Sequence, residues 1–278
     1  MKKLTLFIFF LCLNSWSIAQ TFNVATYNIR LDTSSDSLNQ WSNRKPFVIQ
    51  QIGFHDFDVF GTQEGFKHQL EDLSNGLKEY TYVGVGRDDG HEKGEYAAIF
   101  FKKNAFQLID QGTFWLSTDT KKPNKGWDAA LPRICTWATL RHLASKTEFL
   151  VMNVHFDHVG VIARAESAKL LLEKAKTMFP ELPLIVMGDF NVDQDNESYA
   201  LLHKSGVVED AFHKAKWVYA PTGTFTGFSV KNHSDRRIDH IFISSQFEVS
   251  RYGILTDTYA GGRLPSDHYP VMIEVKFR

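Results

Sequence analysis

Apolar and polar residues alternate along the chain in short blocks, which predict strands and helices in two similar halves. The first half holds predicted strands at 22–28, 58–63 and 96–102 and predicted helices at 45–54 and 67–77. The second half holds predicted strands at 135–141, 149–155, 184–188, 238–244, 249–255 and 271–277. It also holds a predicted helix at 163–178, which Pro180 ends because proline cannot continue a helix. Helices interleaved with strands indicate an α/β domain built from two packed sheets with helices outside.

The first twenty residues have the pattern of a secretory signal peptide. Lys2 and Lys3 precede an apolar stretch at 4–11, and Ser17-Ile18-Ala19 is a small-residue cleavage site. The stretch is shorter than the ~20 residues that span a bilayer. Cys12 follows Leu11 rather than a small residue, which disfavours a lipid anchor. We expect residues 1–20 to be removed and the rest exported, periplasmic or secreted, with no transmembrane segment.

Residues 21–278 are predicted to form one domain. No internal repeat or long polar linker divides it, and a chain of this length buries a core without disulfides. Cys135 is the one cysteine left after cleavage, so no intramolecular disulfide is expected. The formal net charge of −1 disfavours non-specific binding of long nucleic acid, although a local basic groove stays open.

Acids, amides and imidazoles occur where predicted strands end, and this indicates a catalytic site. Glu64 follows one buried strand, Asp189 and Asn191 follow another, and Asp267-His268 precedes the last. Ligands and catalytic groups collect at such ends because the sheet holds them rigidly while loops leave them open. Acids and amides without thiols suit a hard cation such as Mg2+ and the hydrolysis of a phosphate ester.

Six short motifs in order give the chain a resemblance to a known family. They are Thr26-Tyr27-Asn28-Ile29-Arg30, Thr62-Gln63-Glu64, Asn153 to His158, Gly188-Asp189-Phe190-Asn191, Arg237 to Phe242 and Ser266 to Val271. From Phe22 to its end the chain resembles the endonuclease/exonuclease/phosphatase superfamily, which includes DNase I, inositol polyphosphate 5-phosphatases, sphingomyelinases and deadenylases. The resemblance implies a DNase I-like four-layer α/β sandwich, in which two packed, mostly antiparallel β-sheets are flanked by helices.

The resemblance also implies the roles of the motif residues. Glu64 is the expected ligand of one Mg2+, with Mn2+ as a substitute, and Asn28 and Asp267 complete the metal site. Asp189 orients or deprotonates the attacking water. The groups expected to bind the growing charge on the phosphoryl oxygens are Asn191, His155 and His268, the last supported by Asp239.

Other residues are predicted on the substrate side. Arg133 and Arg87 are candidate phosphate clamps, because a guanidinium matches phosphate in a forked geometry. Trp127 lies in a basic loop at 117–132, where an aromatic ring either stacks on substrate or anchors the loop. Asp157 and His158 resemble the deadenylase branch of the family and lie either beside the substrate or behind the catalytic groups.

These features predict an exported Mg2+-dependent phosphoester hydrolase and slightly favour a phosphodiesterase or nuclease. The alternatives are a phosphomonoesterase acting on sugar, inositol or lipid phosphates, and a catalytically inactive binding module. A zinc hydrolase is disfavoured, because the eleven histidines include no His-x-x-x-His or His-x-His spacing on a helix or strand. The expected partner is the phosphoester substrate alone, and the protein is expected to be a monomer.

Overall fold

The computed structural model describes residues 21–278, so the predicted signal peptide lies outside the described residues. The helices are α1 (Trp41–Phe54), α2 (Lys67–Gly76), α3 (Val161–Met178), α4 (Glu197–His203) and α5 (Ala211–Lys214), with a 3-10 turn at Ser34–Asn39. Within this range no helix is both long and apolar enough to cross a bilayer.

Within residues 21–278, thirteen strands form two sheets. The seven-stranded sheet has the order β10-β12-β13-β1-β2-β4-β3, with β1 (Phe22–Asn28), β2 (Val59–Gln63), β3 (Tyr80–Val83), β4 (Ala98–Lys102), β10 (Trp217–Tyr219), β12 (Phe247–Ile254) and β13 (Val271–Phe277). The six-stranded sheet has the order β5-β6-β7-β8-β11-β9, with β5 (Phe106–Trp115), β6 (Ile134–His142), β7 (Glu148–His155), β8 (Leu184–Asp189), β9 (Glu209–Asp210) and β11 (Asp239–Ile243). Only the pairs β1/β2, β7/β8 and β10/β12 are parallel among these strands, so the predicted mostly antiparallel arrangement is confirmed.

Three large apolar clusters hold the four layers together, and a fourth, small cluster contains Ala97, Trp115 and Ile134. The central cluster packs the inner faces of both sheets, with Val24 and Ile273 from one sheet and Val151 and Ile241 from the other. Two outer clusters pack helices on the sheets: α1 and α2 cover the larger sheet, and α3 and α4 cover the smaller one. This burial of alternate strand faces is what the alternating pattern predicted.

A buried polar contact joins the two sheets near one end. Asn153 on β7 donates from Nδ2 to the carbonyl oxygens of Thr62 (2.9 Å) and Ala98 (2.8 Å), and its Oδ1 accepts a hydrogen bond from Gln63 Nε2 (2.7 Å). Gly61 leaves room for this amide, since a Cβ there would lie 2.5 Å from Asn153 Oδ1. The contact aligns the ends of β2 and β7, which carry Glu64 and His155.

The structure adds elements that the pattern did not predict: β3, β5, β9, β10, α4, α5 and the 3-10 turn. β5 is an edge strand with both faces partly solvated, so its sequence lacks a clear alternation. β10 lies where the pattern predicts neither a strand nor a helix, and all three of its residues are exposed. α1 begins at Trp41 instead of residue 45, because Trp41 and Arg44 pack inward from the helix's first turn.

Candidate active site

The predicted catalytic residues meet at one end of the sandwich. β1 ends at Asn28 beside Gln63, the residue before Glu64, and β11 begins at Asp239 opposite Asp189. β7 ends at His155, also in register with Asp189, and Asp267-His268 arrives from the loop before β13. Strand register therefore brings together side chains that are up to 240 positions apart in the sequence.

A cavity of about 500 Å3 opens at this end. Its lining includes the predicted residues Glu64, Arg133, His155, His158, Asp189, Asn191, Asp267 and His268. Asn28 and Asp239 are completely buried and contact lining residues from behind. The volume is in the range of small-molecule sites.

Asn28 links the two central carboxylates. Its Nδ2 donates to Glu64 Oε1 and to Asp189 Oδ2, at 3.0 Å each, while its Oδ1 accepts a hydrogen bond from the backbone N–H of Arg30 (3.0 Å). Asn28 in this orientation holds the carboxylates in place and directs its amide oxygen away from them. It thus orients the two carboxylates of the predicted metal site, and its own place among the ligands stays a prediction.

Asp189, Asp239 and His268 form a buried charge network. His268 Nδ1 lies 2.9 Å from Asp239 Oδ2, and its Nε2 lies 3.8 Å from Asp189 Oδ2. Burial disfavours the charged imidazole, but Asp239 and Asp189 outweigh it and raise the pKa of His268 well above its usual value. Burial and then repulsion from Asp239 raise the pKa of Asp189 to about 7. A carboxylate of this basicity suits proton abstraction from water near neutral pH.

The donor set fits a hard divalent cation. Glu64, Asp189 and His268 each offer an atom within 4.8 Å of the others. His268 carries a proton on both nitrogens when charged, so oxygen ligands are the relevant ones. Arg30 Nη1 lies 3.8 Å from both Glu64 Oε2 and Asp267 Oδ2, which shows that these two carboxylates face a common cationic point. Two carboxylates with room for water are what Mg2+ prefers.

His155 forms one wall of the pocket as a neutral imidazole. Burial, followed by the nearby guanidinium groups of Arg133 and Arg87, lowers its pKa well below the usual value. Its Nε2 lies 3.6 Å from Asp189 Oδ2, and its Nδ1 lies 3.7 Å from Glu95 Oε2. The neutral ring provides one hydrogen-bond donor without adding charge.

Two of the predicted substrate residues line the pocket. Arg133 is buried and donates from Nη2 to His158 Nδ1 (3.0 Å), so the proton of a neutral His158 lies on Nε2. Its Nε lies 3.4 Å from Asp157 Oδ2. Arg133 is thus held at the pocket by two side chains.

The other three predicted substrate residues, Asp157, Arg87 and Trp127, do not line the pocket. Asp157 accepts backbone N–H groups of Ala130, Leu131, Val159 and Gly160, which lower its pKa in spite of burial and tie the 117–132 loop to β7. Arg87 is paired with Glu95 behind His155, at 2.6 Å from Nη2 to Oε1. Trp127 is 37% exposed and is absent from the pocket lining.

Glu95 and Phe225 are pocket residues that sequence reasoning did not assign to the site. Glu95 lines the pocket, and its pKa is raised by burial against the opposing effect of Arg87. It precedes the predicted strand at 96–102, so the rule that identified Glu64, applied to strand starts, would have found it. The ring of Phe225 meets His268 edge-on at 5.1 Å and is 49% exposed at the pocket.

Comparisons with known proteins agree with this architecture. The model of the Endonuclease/Exonuclease/phosphatase family matches residues 25–268. An endonuclease/exonuclease/phosphatase family protein from Bacteroides thetaiotaomicron is 47% identical, with a TM-score of 0.91 over 93% of this chain and 98% of that one. The mannosyl-6-phosphatase of Bacteroides thetaiotaomicron VPI-5482 is also 47% identical, with a TM-score of 0.90 over 92% of this chain and 100% of that one.

A more distant curated relative is the CCR4-Not complex 3'-5'-exoribonuclease subunit Ccr4 of Mycosarcoma maydis, which is 24% identical over 92% of this chain. The matched region is 50% of that protein, so the chain spans half the length of this relative.

Proposed function

The chain belongs to the endonuclease/exonuclease/phosphatase family of phosphoester hydrolases, and on this premise we propose that it is an exported, Mg2+-dependent phosphomonoesterase acting on a sugar phosphate. The observation that carries the proposal is the 47% identity, over 92% of the chain, to a mannosyl-6-phosphatase. The compact pocket supports it, because about 500 Å3 is enough for one phosphorylated sugar. The protein is proposed to act as a monomer.

Glu64 and Asp267 would hold the Mg2+, which when bound polarises the phosphoryl group and stabilises the leaving oxygen. Asp189 is the base. Its Oδ1 accepts the backbone N–H of Asn191 (2.9 Å), and its Oδ2 accepts a hydrogen from Asn28 (3.0 Å), so the carboxylate is held rigidly. A raised pKa lets it take a proton from water that attacks phosphorus in line with the leaving sugar oxygen.

Three side chains would bind the phosphoryl oxygens. Protonated His268, oriented by Asp239, donates from Nε2, and neutral His155 adds a second donor. Asn191 donates one amide hydrogen to the carbonyl oxygen of Phe156 (3.0 Å), which leaves its other amide hydrogen for the substrate. Fixed donors of this kind stabilise charge that develops in the transition state.

Arg133 favours a monoester in particular. A monoester near neutral pH carries close to two negative charges, and a diester carries one. The Arg133 guanidinium adds a buried positive charge at the pocket, held by Asp157 and His158. It would offset the second charge of a monoester.

Phosphodiester hydrolysis is the second candidate. The similarity to the 3'-5'-exoribonuclease subunit Ccr4 favours it, and so does the exposed Phe225 ring, on which a base would stack. The preference of the sequence analysis for a diesterase stays a prediction that the following experiment tests.

The test is hydrolysis of a phosphoester panel by the purified protein with Mg2+, with EDTA, and with Mn2+ after EDTA. The panel contains mannose 6-phosphate, glucose 6-phosphate, inositol phosphates, nitrophenyl phosphate, bis-nitrophenyl phosphate and oligoadenylate. We expect kcat/KM for a sugar phosphate to exceed that for either diester by at least about a hundredfold. Asp189→Asn should abolish turnover, and the exposed Asp110→Asn should not. Faster cleavage of oligoadenylate or of the synthetic diester would overturn the proposal.

A further inference from the structure

A second cavity, of about 990 Å3, lies beside the catalytic pocket and is about twice its size. Its walls come from the turn after β8, from α4 and α5, and from the segments 220–222 and 233–237. None of these residues lines the catalytic pocket, so the second cavity is a separate space.

Two chain segments lie between the cavities, and each segment contributes residues to both linings. Arg237 lines the second cavity, and the next residue, Ile238, lines the catalytic pocket. On the facing turn, Gln194 lines the second cavity and Asn191 the catalytic pocket. On each side, a short stretch of chain therefore contributes residues to both cavities, which lie next to each other.

The lining of the second cavity combines apolar surface with polar groups, and its charges nearly balance. It includes the carboxylates of Asp195 and Asp235 and the ammonium of Lys204, while the Arg237 charge is already paired with Asp210 at 2.8 Å. His203 accepts the backbone N–H of Asp210 at Nδ1, so its other nitrogen is a donor. Two carboxylates disfavour an anion, while the amides, hydroxyls and imidazoles match a neutral ligand that is rich in hydroxyl groups.

The walls are preorganised. Arg237 is 5% exposed and is held between Asp210 and the ring of Phe212, whose centroid lies 4.0 Å from the guanidinium carbon. Gln194 Oε1 accepts the backbone N–H of Arg237 (3.0 Å), and its Nε2 donates to the carbonyl oxygen of Asp235 (3.0 Å). A cavity built from groups that already have partners does not collapse when empty, and binding costs little reordering.

We propose that the second cavity binds the sugar next to the phosphorylated one, so that the preferred substrate is a phosphorylated glycan rather than a free sugar phosphate. This inference rests on the proposed function and deepens it. The phosphorylated sugar would occupy the catalytic pocket. The glycosidic bond would cross the segment at Arg237 and Ile238, and the neighbouring sugar would meet Gln194, His203 and Thr222.

The test is to fill the second cavity with a larger side chain. Ala200 on α4 lines it and is half-buried, so Ala200→Trp places an indole in the proposed sugar site. Glu197→Trp is the matched control, because Glu197 is exposed on the same helix and does not line the cavity. His213→Ala is a second variant, since His213 is an exposed lining residue whose loss leaves the core unchanged.

Two readouts are compared. The first is kcat/KM for mannose 6-phosphate and for a mannobiose that carries the 6-phosphate on its non-reducing sugar. We expect the disaccharide to be better by at least about tenfold in the wild type and in Glu197→Trp, the effect of a few added hydrogen bonds. This advantage should disappear in Ala200→Trp and decrease in His213→Ala, with turnover of mannose 6-phosphate unchanged.

The second readout is binding of unphosphorylated mannobiose by calorimetry, which does not depend on catalysis. Binding that Ala200→Trp abolishes, in a protein that hydrolyses no sugar phosphate, would support the cavity and refute the proposed function. A wild type that hydrolyses mannose 6-phosphate with no disaccharide advantage and no mannobiose binding would overturn the inference alone. An advantage that persists in Ala200→Trp, or inorganic phosphate that binds the cavity in place of mannobiose, would also overturn it.

Discussion

Arg237 should be worth several kcal/mol of stability, because it neutralises a carboxylate with no access to solvent. The Asp210 side chain is completely buried, and its Oδ2 lies 2.8 Å from both Arg237 Nη1 and the hydroxyl of Tyr199. Its Oδ1 accepts the backbone N–H of Phe212 (2.9 Å). Arg237→Met keeps the length of the side chain and removes the cation, which leaves a buried charge without its main partner.

The expected loss is about 3–5 kcal/mol, the usual cost of breaking a buried ion pair from one side. At about 2–4 °C per kcal/mol for a domain of this size, Tm falls by roughly 6–20 °C. Arg237→Met with Asp210→Asn should lose less than Arg237→Met alone, because no buried charge remains. Arg236→Met is the matched control: this side chain is 73% exposed, with its Nη1 3.6 Å from Asp193, so about 0–1 kcal/mol is expected.

The stability that the Arg237–Asp210 pair contributes depends on pH, and the pKa of Asp210 gives the direction of this dependence. Burial alone would raise the pKa of Asp210, but His240 and Arg237 outweigh it and lower that pKa. A lowered pKa in the folded state stabilises the protein above about pH 4, where a free aspartate is ionised, and this stabilisation is lost as pH falls towards the folded value. The cost of Arg237→Met should therefore be larger at pH 7 than at pH 4.

The assay is urea unfolding followed by circular dichroism at both pH values, for the wild type, the two single variants at 236 and 237, and the double variant. A loss below about 1 kcal/mol for Arg237→Met would refute the reasoning. So would a double variant less stable than Arg237→Met.

Two further predictions concern the candidate active site, and a third concerns the polar contact between the sheets. Asp239→Asn should lower kcat by about 10²–10³-fold, because His268 loses the carboxylate that keeps it charged; wild-type turnover across pH 6–8 would contradict this. Glu64→Gln should weaken Mn2+ binding measured by calorimetry and retain the fold by circular dichroism, and unchanged affinity would exclude Glu64 as a ligand. Asn153→Leu should cost about 3 kcal/mol or more in urea unfolding, because it removes the acceptor of one Gln63 amide hydrogen and the donors to two backbone carbonyls inside the protein. A loss below about 1 kcal/mol would indicate that water replaces the amide.

The motif Arg237-Ile238-Asp239-His240 illustrates how local sequence and tertiary structure divide the information. Asp239 contacts the catalytic His268 at 2.9 Å, as expected. His240 is completely buried and donates from Nε2 to the carbonyl oxygen of Val192, so it supports the turn that carries Asn191. Arg237 lines the second cavity. Asp239 and His240 act in different places because they are adjacent in β11 and their side chains point to opposite faces, and Arg237 precedes that strand.

The strands of the two sheet cores were predictable because burial on one or both faces imposes a local pattern. β5 and β10 were not, because an edge strand is solvated and its residues are free to vary. The candidate site was predictable in its residue types, since acids and imidazoles at strand ends are visible without any partner. Glu95 was missed because it stands before a strand rather than after one, and its contacts with Arg87 and His155 form only in the folded protein.

The sequence by itself therefore determined the layered α/β architecture, the motif residues and the chemistry that their side chains allow, because periodicity and residue type are local properties. Only the tertiary structure decided that Asn28 bridges Glu64 and Asp189, that Asp157 turns to the backbone of a loop, and that Arg133 reaches the pocket while Arg87 does not. These outcomes follow from strand register and from burial. Both come from packing two sheets together, and no segment of the chain contains that information alone.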